Sequence, residues 1–168
     1  MTNVVLQIEP ITVVVTGVNF RNYAIRYHRA AQIYLETEEE KLPFDPIPYQ
    51  LVCQSIELHL KSFIWMKEKY GRKRFIDEYR HNIIKLWKDC KERNINEYIK
   101  YSRIENSAIE QIGNEYKSRQ FCYLDLDMMS DVFPALTSKP EILETLVQLS
   151  EQLGEKLKNP LYKASQPE

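Results

Sequence analysis

Gln50-Leu-Val-Cys-Gln-Ser-Ile-Glu-Leu-His-Leu-Lys-Ser-Phe-Ile-Trp-Met66 decides how this chain folds. Placed around a helix, Leu51, Val52, Ser55, Ile56, Leu58, Leu60, Phe63, Ile64, Trp65 and Met66 cover most of the circumference. Gln54, Glu57, Lys61 and Glu68 form a narrow polar strip. A helix that is apolar nearly all round lies at the centre of a bundle, so the rest of the chain has to supply its covering.

Working outward, Leu42 to Pro48 holds three prolines in seven residues and keeps the chain extended before this helix, with Pro48 suited to its first turn. Upstream, Tyr23, Tyr27, Ala30, Ala31 and Tyr34 recur at helical spacing, which predicts a helix from Phe20 to about Glu40 that buries this face and is capped by Asn19. Downstream, Tyr79, Ile83, Leu86, Trp87 and Cys90 mark a third helix, with a short helical piece near Ile95 to Tyr101. Ser102-Arg-Ile-Glu105 is a capping-box pattern opening a fourth helix that runs to about Tyr116. Ser138-Lys-Pro-Glu141 repeats the signal before the stripe Ile142, Leu146, Leu149, Leu153, Leu157, and Asn159-Pro160 is expected to end that fifth helix. Arg119 to Thr137 is a long mixed loop of the kind that is often functional or packed as a cover.

The predicted fold is all-α, an up-and-down bundle of about five helices over residues 19–160, with an extended N-terminal arm (1–18) and a C-terminal tail (161–168). Val4 to Val15 is β-branched and broken by Glu9-Pro10, so the arm needs a surface to lie on.

A length of 168 residues with 43% hydrophobic residues and only 4 glycines fits one domain with a sizeable core. The net charge of -1 and pI near 6.3 exclude a globally basic nucleic-acid binder, so any phosphate binding is local. Cys53, Cys90 and Cys122 lack zinc spacing and read as reduced core thiols; the histidines share no metal-binding spacing either. No metal and no cofactor are expected. With no signal-peptide pattern and no apolar run of bilayer length, the expected location is the cytoplasm, away from membranes.

Glu57 and Lys61 stand four apart in the favourable order for an ion pair, as either a solvated strip or part of a site. His81 follows Arg80 at a helix start, where it caps and packs, binds phosphate or moves protons. His59 falls within the apolar arc and is expected to be a core histidine with one hydrogen-bond partner; His28 carries no signal. Lys67, Lys69, Arg72, Lys73 and Arg74 are expected to form a basic loop leading toward His81.

Gln54-Ser-Ile-Glu57-Leu-His-Leu-Lys61 followed by Arg80-His81-Asn-Ile-Ile-Lys-Leu-Trp87 resembles the HEPN family, in which an Ala/Ser-x-Glu-x-x-Leu-Lys helix precedes a Gly/Arg-His-Asp/Asn-x-x-x-Leu helix. Tyr116-Lys-Ser-Arg119 resembles the Tyr-x-x-Arg-Tyr element of its non-nuclease branch, with Gln120 in place of the aromatic and Asn82 in place of the usual Asp. The resemblance spans roughly Arg21 to Tyr123. It implies a helical bundle associated with nucleotides and RNA, and a non-catalytic accessory subunit holding a nucleotide or phosphate-bearing partner near Glu57, Lys61, His81, Tyr116 and Arg119.

HEPN ribonucleases carry Arg, four to six residues, then His, usually as Arg-Asn-x-x-x-His. Here Arg74 and His81 enclose six residues, with Phe75 where Asn would stand. The competing expectation is therefore a metal-independent, toxin-like ribonuclease using Arg74 and His81. A third is a structural homodimer whose polar strip is interface glue. The partners implied are a second copy of the chain and a nucleotidyltransferase or an antitoxin, with a nucleotide or RNA as ligand.

Overall fold

The computed structural model describes residues 16–37, 45–69, 72–118, 121 and 140–166, and among these it is all-α with no strand. The N-terminal arm up to residue 15, the loop from Arg119 onward apart from Phe121, and the Ser138 cap lie outside the described residues. Seven α-helices replace the expected five: α1 (Gly17–Thr37), α2 (Pro46–Glu68), α3 (Arg72–Glu78), α4 (Ile83–Glu92), α5 (Arg103–Lys117), α6 (Pro140–Lys156) and α7 (Lys158–Ala164). A 3₁₀ turn, Ile95–Glu97, lies between α4 and α5. The two additions are short: α3 occupies the expected basic loop, and α7 occupies the expected tail.

The second addition has a local cause. Pro160 lacks an N–H and its ring collides with the carbonyl four residues back, which is that of Lys156, so α6 stops there. The same proline fits the first turn of a new helix, and α7 starts at Lys158. Asn159-Pro160 thus ends α6 as expected and also opens α7.

α2 is central, packed by α1, α4, α6 and α7. Its start is set by Asp45, whose carboxylate accepts from the Ile47 N–H at 3.0 Å, with Pro46 in the first turn. Its end is Lys69 in the left-handed conformation (φ 53°). Val52, Cys53, Ile56, Leu60, Phe63 and Ile64 are fully buried. Ser102 and Glu105 close the capping box at the head of α5, and the α6 stripe from Ile142 to Leu157 is buried as its spacing requires.

α1 packs by a face rotated about a quarter turn from the one predicted, the two sharing only Ala31. Its buried residues are Gly17, Arg21, Ala24 and Ala31, while Tyr23 and Tyr27 are exposed. Gly17, Ala24 and Ala31 recur every seven residues, and these small side chains let α1 approach α2 closely enough for Ser55 Oγ to donate to the Ala24 carbonyl at 2.7 Å. The expected Asn19 cap does not hold in detail: Thr16 Oγ1 accepts from the Asn19 N–H (3.4 Å) and Asn19 Oδ1 from the Thr16 N–H (2.9 Å), so Thr16 is the cap and Asn19 its reciprocal partner.

Candidate functional site

Glu57 sits about three turns into the apolar α2, and its side chain is only 1% exposed. A carboxylate this deep must be neutralised by neighbours or by a proton. Here neighbours do it. Lys61, one turn on, donates its Nζ to Glu57 Oε1, while His81 Nδ1 lies 3.1 Å from Oε2 and the Tyr116 hydroxyl donates to the same oxygen. Gln54 meets the Tyr116 hydroxyl at 2.8 Å. The atom facing it is Gln54 Oε1, so the one phenolic proton has two acceptors within reach, the charged carboxylate being the stronger.

Three elements deliver these groups. α2 aligns Gln54, Glu57 and Lys61 on one strip, α5 brings Tyr116 near its C-terminal end, and the α3–α4 turn carries His81. That turn is unusual: Arg80 holds φ 44°, a left-handed conformation for a side chain with a Cβ. Lys61 Nζ donates to the Arg80 carbonyl at 3.1 Å, tying the turn to α2. Asn82 then caps α4, accepting from the Lys85 N–H at 3.0 Å, which fixes the helix start immediately after His81.

Burial alone would raise the Glu57 carboxyl above its usual range, but the His81 hydrogen bond, the charge and hydrogen bond of Lys61, and the Tyr116 hydroxyl outweigh it and leave it lowered. Glu57 is therefore ionised at neutral pH. With its Nδ1–H given to this carboxylate, neutral His81 has its lone pair on Nε2. The ring packs edge-on against Tyr116 at 6.0 Å, and the side chain is 36% exposed, so the buried charge orients an imidazole at the surface.

Of the predicted site residues, Glu57, Lys61, His81 and Tyr116 converge, and Arg119 lies outside the described residues. The Glu57–Lys61 part of the polar strip is not solvated, whereas Glu68 is exposed. Arg74, on α3, donates through Nε to Glu78 Oε1 at 2.6 Å and is 55% exposed. Lys67 and Lys69 are engaged elsewhere, Lys67 over the Tyr98 ring and Lys69 over Trp65 with its Nζ donating to the Ala164 carbonyl. The basic segment is thus not a loop leading to His81: Lys67 and Lys69 close α2, and Arg74 pairs within α3. Gln54 is the member of the cluster that sequence reasoning left unassigned, although its position one turn before Glu57 on the same strip was the signal.

Among the described residues, no group of three His, Cys, Asp or Glu side chains comes together to hold a metal, and no helix is long and apolar enough to cross a membrane. No family model, curated protein or solved structure matches this chain.

Proposed function

We propose that this chain is a HEPN-like helical binding protein that takes a nucleotide or another phosphate-bearing partner at His81, without catalysing a reaction. The observation that carries this reading is the ionised, buried Glu57 holding Lys61, His81 and Tyr116 together, at a point where the imidazole reaches the surface. A group with so little exposure would be replaceable by an apolar side chain if packing were its whole purpose. The start of α4 adds positive potential beside the imidazole. In this reading Arg119 joins the site, and the longer helices α1, α2, α4, α5 and α6 make the bundle with α3 and α7 as appendages.

The test is a thermal melt of the wild type and His81→Ala against mononucleotides and inorganic phosphate. A ligand-dependent rise in the wild-type midpoint that His81→Ala loses is expected; a wild-type midpoint indifferent to every one of these ligands sinks the proposal.

A metal-independent ribonuclease is the second reading, favoured by one feature: a carboxylate that orients a histidine is also the arrangement used for proton transfer. Arg74 is its weak member, being paired with Glu78. RNA cleavage by EDTA-treated protein, lost in both His81→Ala and Arg74→Ala, would establish this reading in place of the first.

As partners we propose a second copy of the chain and a nucleotidyltransferase or antitoxin. The apolar circumference of α2 is largely covered within one chain and does not itself call for a dimer. What supports a dimer now is the outward face of α1, where Tyr23, Tyr27 and Ile33 are exposed at 57%, 39% and 52%.

A further inference from the structure

On the other side of α2 from Glu57 lies a second polar cluster. His59 is completely buried, and neither of its ring nitrogens has a hydrogen-bond partner. That is costly, because each orphaned polar atom forfeits the bonds it made to water. The ring lines a cleft of about 510 Å³ between α1, α2 and α6. The size is in the range of small-molecule sites.

The cleft has a built floor. Arg21, 7% exposed, is locked in place by donating Nε and Nη2 to the Gly154 carbonyl at 3.0 and 2.6 Å. Its Nη1 makes no hydrogen bond to the protein among the described residues. His28 Nδ1 meets Ser150 Oγ at 3.1 Å, and Ser150 in turn meets Ser55 at 2.8 Å, so the wall is also fixed. Gly154 leaves the space open: a Cβ there would stand 3.2 Å from His59 Nε2. Burial first, then the nearby Arg21 and His28, push the His59 imidazolium down to about 3, so the ring is neutral and offers one donor and one acceptor.

Charge selects the occupant. The floor is cationic at Arg21, whereas the rim carries exposed Glu151 and Glu155 beside Lys158. Two rim carboxylates repel a multiply charged phosphate but welcome an ammonium group.

We propose that this cleft binds an amino-acid-sized zwitterion, its carboxylate on Arg21 and His59 and its ammonium on Glu151 and Glu155. The site is separate from the one at His81 and does not depend on it.

The experiment is calorimetric titration of the full chain with each of the twenty standard amino acids, and with acetate, ethylamine and inorganic phosphate as probes of the separate charges. At least one amino acid should bind saturably, and all three probes should bind at least about tenfold more weakly, since each lacks one of the two contacts. Glu151→Gln with Glu155→Gln changes only exposed residues and should keep the fold while weakening that amino acid by roughly tenfold. In ¹⁵N spectra the His59 ring nitrogens should shift on binding. Arg21→Gln should abolish binding, and the rim variant serves if this one does not fold. Binding of no amino acid, binding of phosphate or acetate as tightly as the amino acid, an unaffected rim variant, or silent His59 nitrogens would each overturn the assignment.

Discussion

Lys61 performs two tasks with one ammonium, neutralising the buried Glu57 and holding the Arg80 carbonyl in a turn that the backbone alone disfavours. Lys61→Met keeps the apolar stem but strands the carboxylate, so it should cost on the order of 3 kcal/mol or more in urea unfolding at pH 7. Tyr116→Phe removes one donor from the same carboxylate and should cost about 1–3 kcal/mol. By contrast the Arg74–Glu78 pair is exposed, and Arg74→Ala should change stability by less than about 0.5 kcal/mol. If Lys61→Met and Arg74→Ala unfold at the same urea concentration, the buried network does not anchor the fold.

Among the elements, α1 and α2 depend most on closeness. A Cβ at Gly17 would lie 2.6 Å from Trp65 Cε3 and 3.1 Å from the Ser62 carbonyl oxygen, one a ring and the other fixed backbone. Gly17→Ala should therefore destabilise by roughly 1–3 kcal/mol despite the better helix propensity of alanine, as overpacking does. A neutral or stabilising result in thermal melts would mean that α1 can slide outward without loss. Tyr23 and Tyr27, prominent in the sequence of α1, stand outside this seam and are exposed.

For the whole molecule, acid is the revealing variable. An unfolded histidine takes up a proton near pH 6.5, but native His59 refuses it down to about 3, so the unfolded state binds more protons between these values. Stability contributed by neutral His59 is thus fully present above pH 6.5 and is lost as pH falls, by about 2 kcal/mol between pH 7 and 5. Glu57, lowered in the native state, adds a further loss below its unfolded value of about 4.3. Urea unfolding at a series of pH values should show this decline, and His59→Leu should flatten its upper part while leaving the part below pH 4.5. A variant with the wild-type slope would place the proton uptake elsewhere. Light scattering is expected to show a dimer, and Tyr23→Lys with Ile33→Lys to return it to a monomer; a monomeric wild type removes the proposed self-association.

What the sequence determined by itself is whatever one residue's neighbours along the chain decide. The all-α class, the central α2, the capping box at Ser102–Glu105 and the α6 leucine stripe follow from spacing and local hydrogen bonding, and they stand in the structure. So does the pairing of Glu57 with Lys61, because four residues is one helical turn. Only the tertiary structure decided that this pair is buried, that Gln54 joins it beside the expected Tyr116, and that α1 turns its small residues inward rather than its tyrosines. Hydrophobicity read along a helix marks the largest apolar side chains, whereas close helix packing selects the smallest. The His59 cleft was illegible for a related reason: a histidine on an apolar arc looks like core until the partner atoms around it are known, and those come from α1 and α6, distant in the chain.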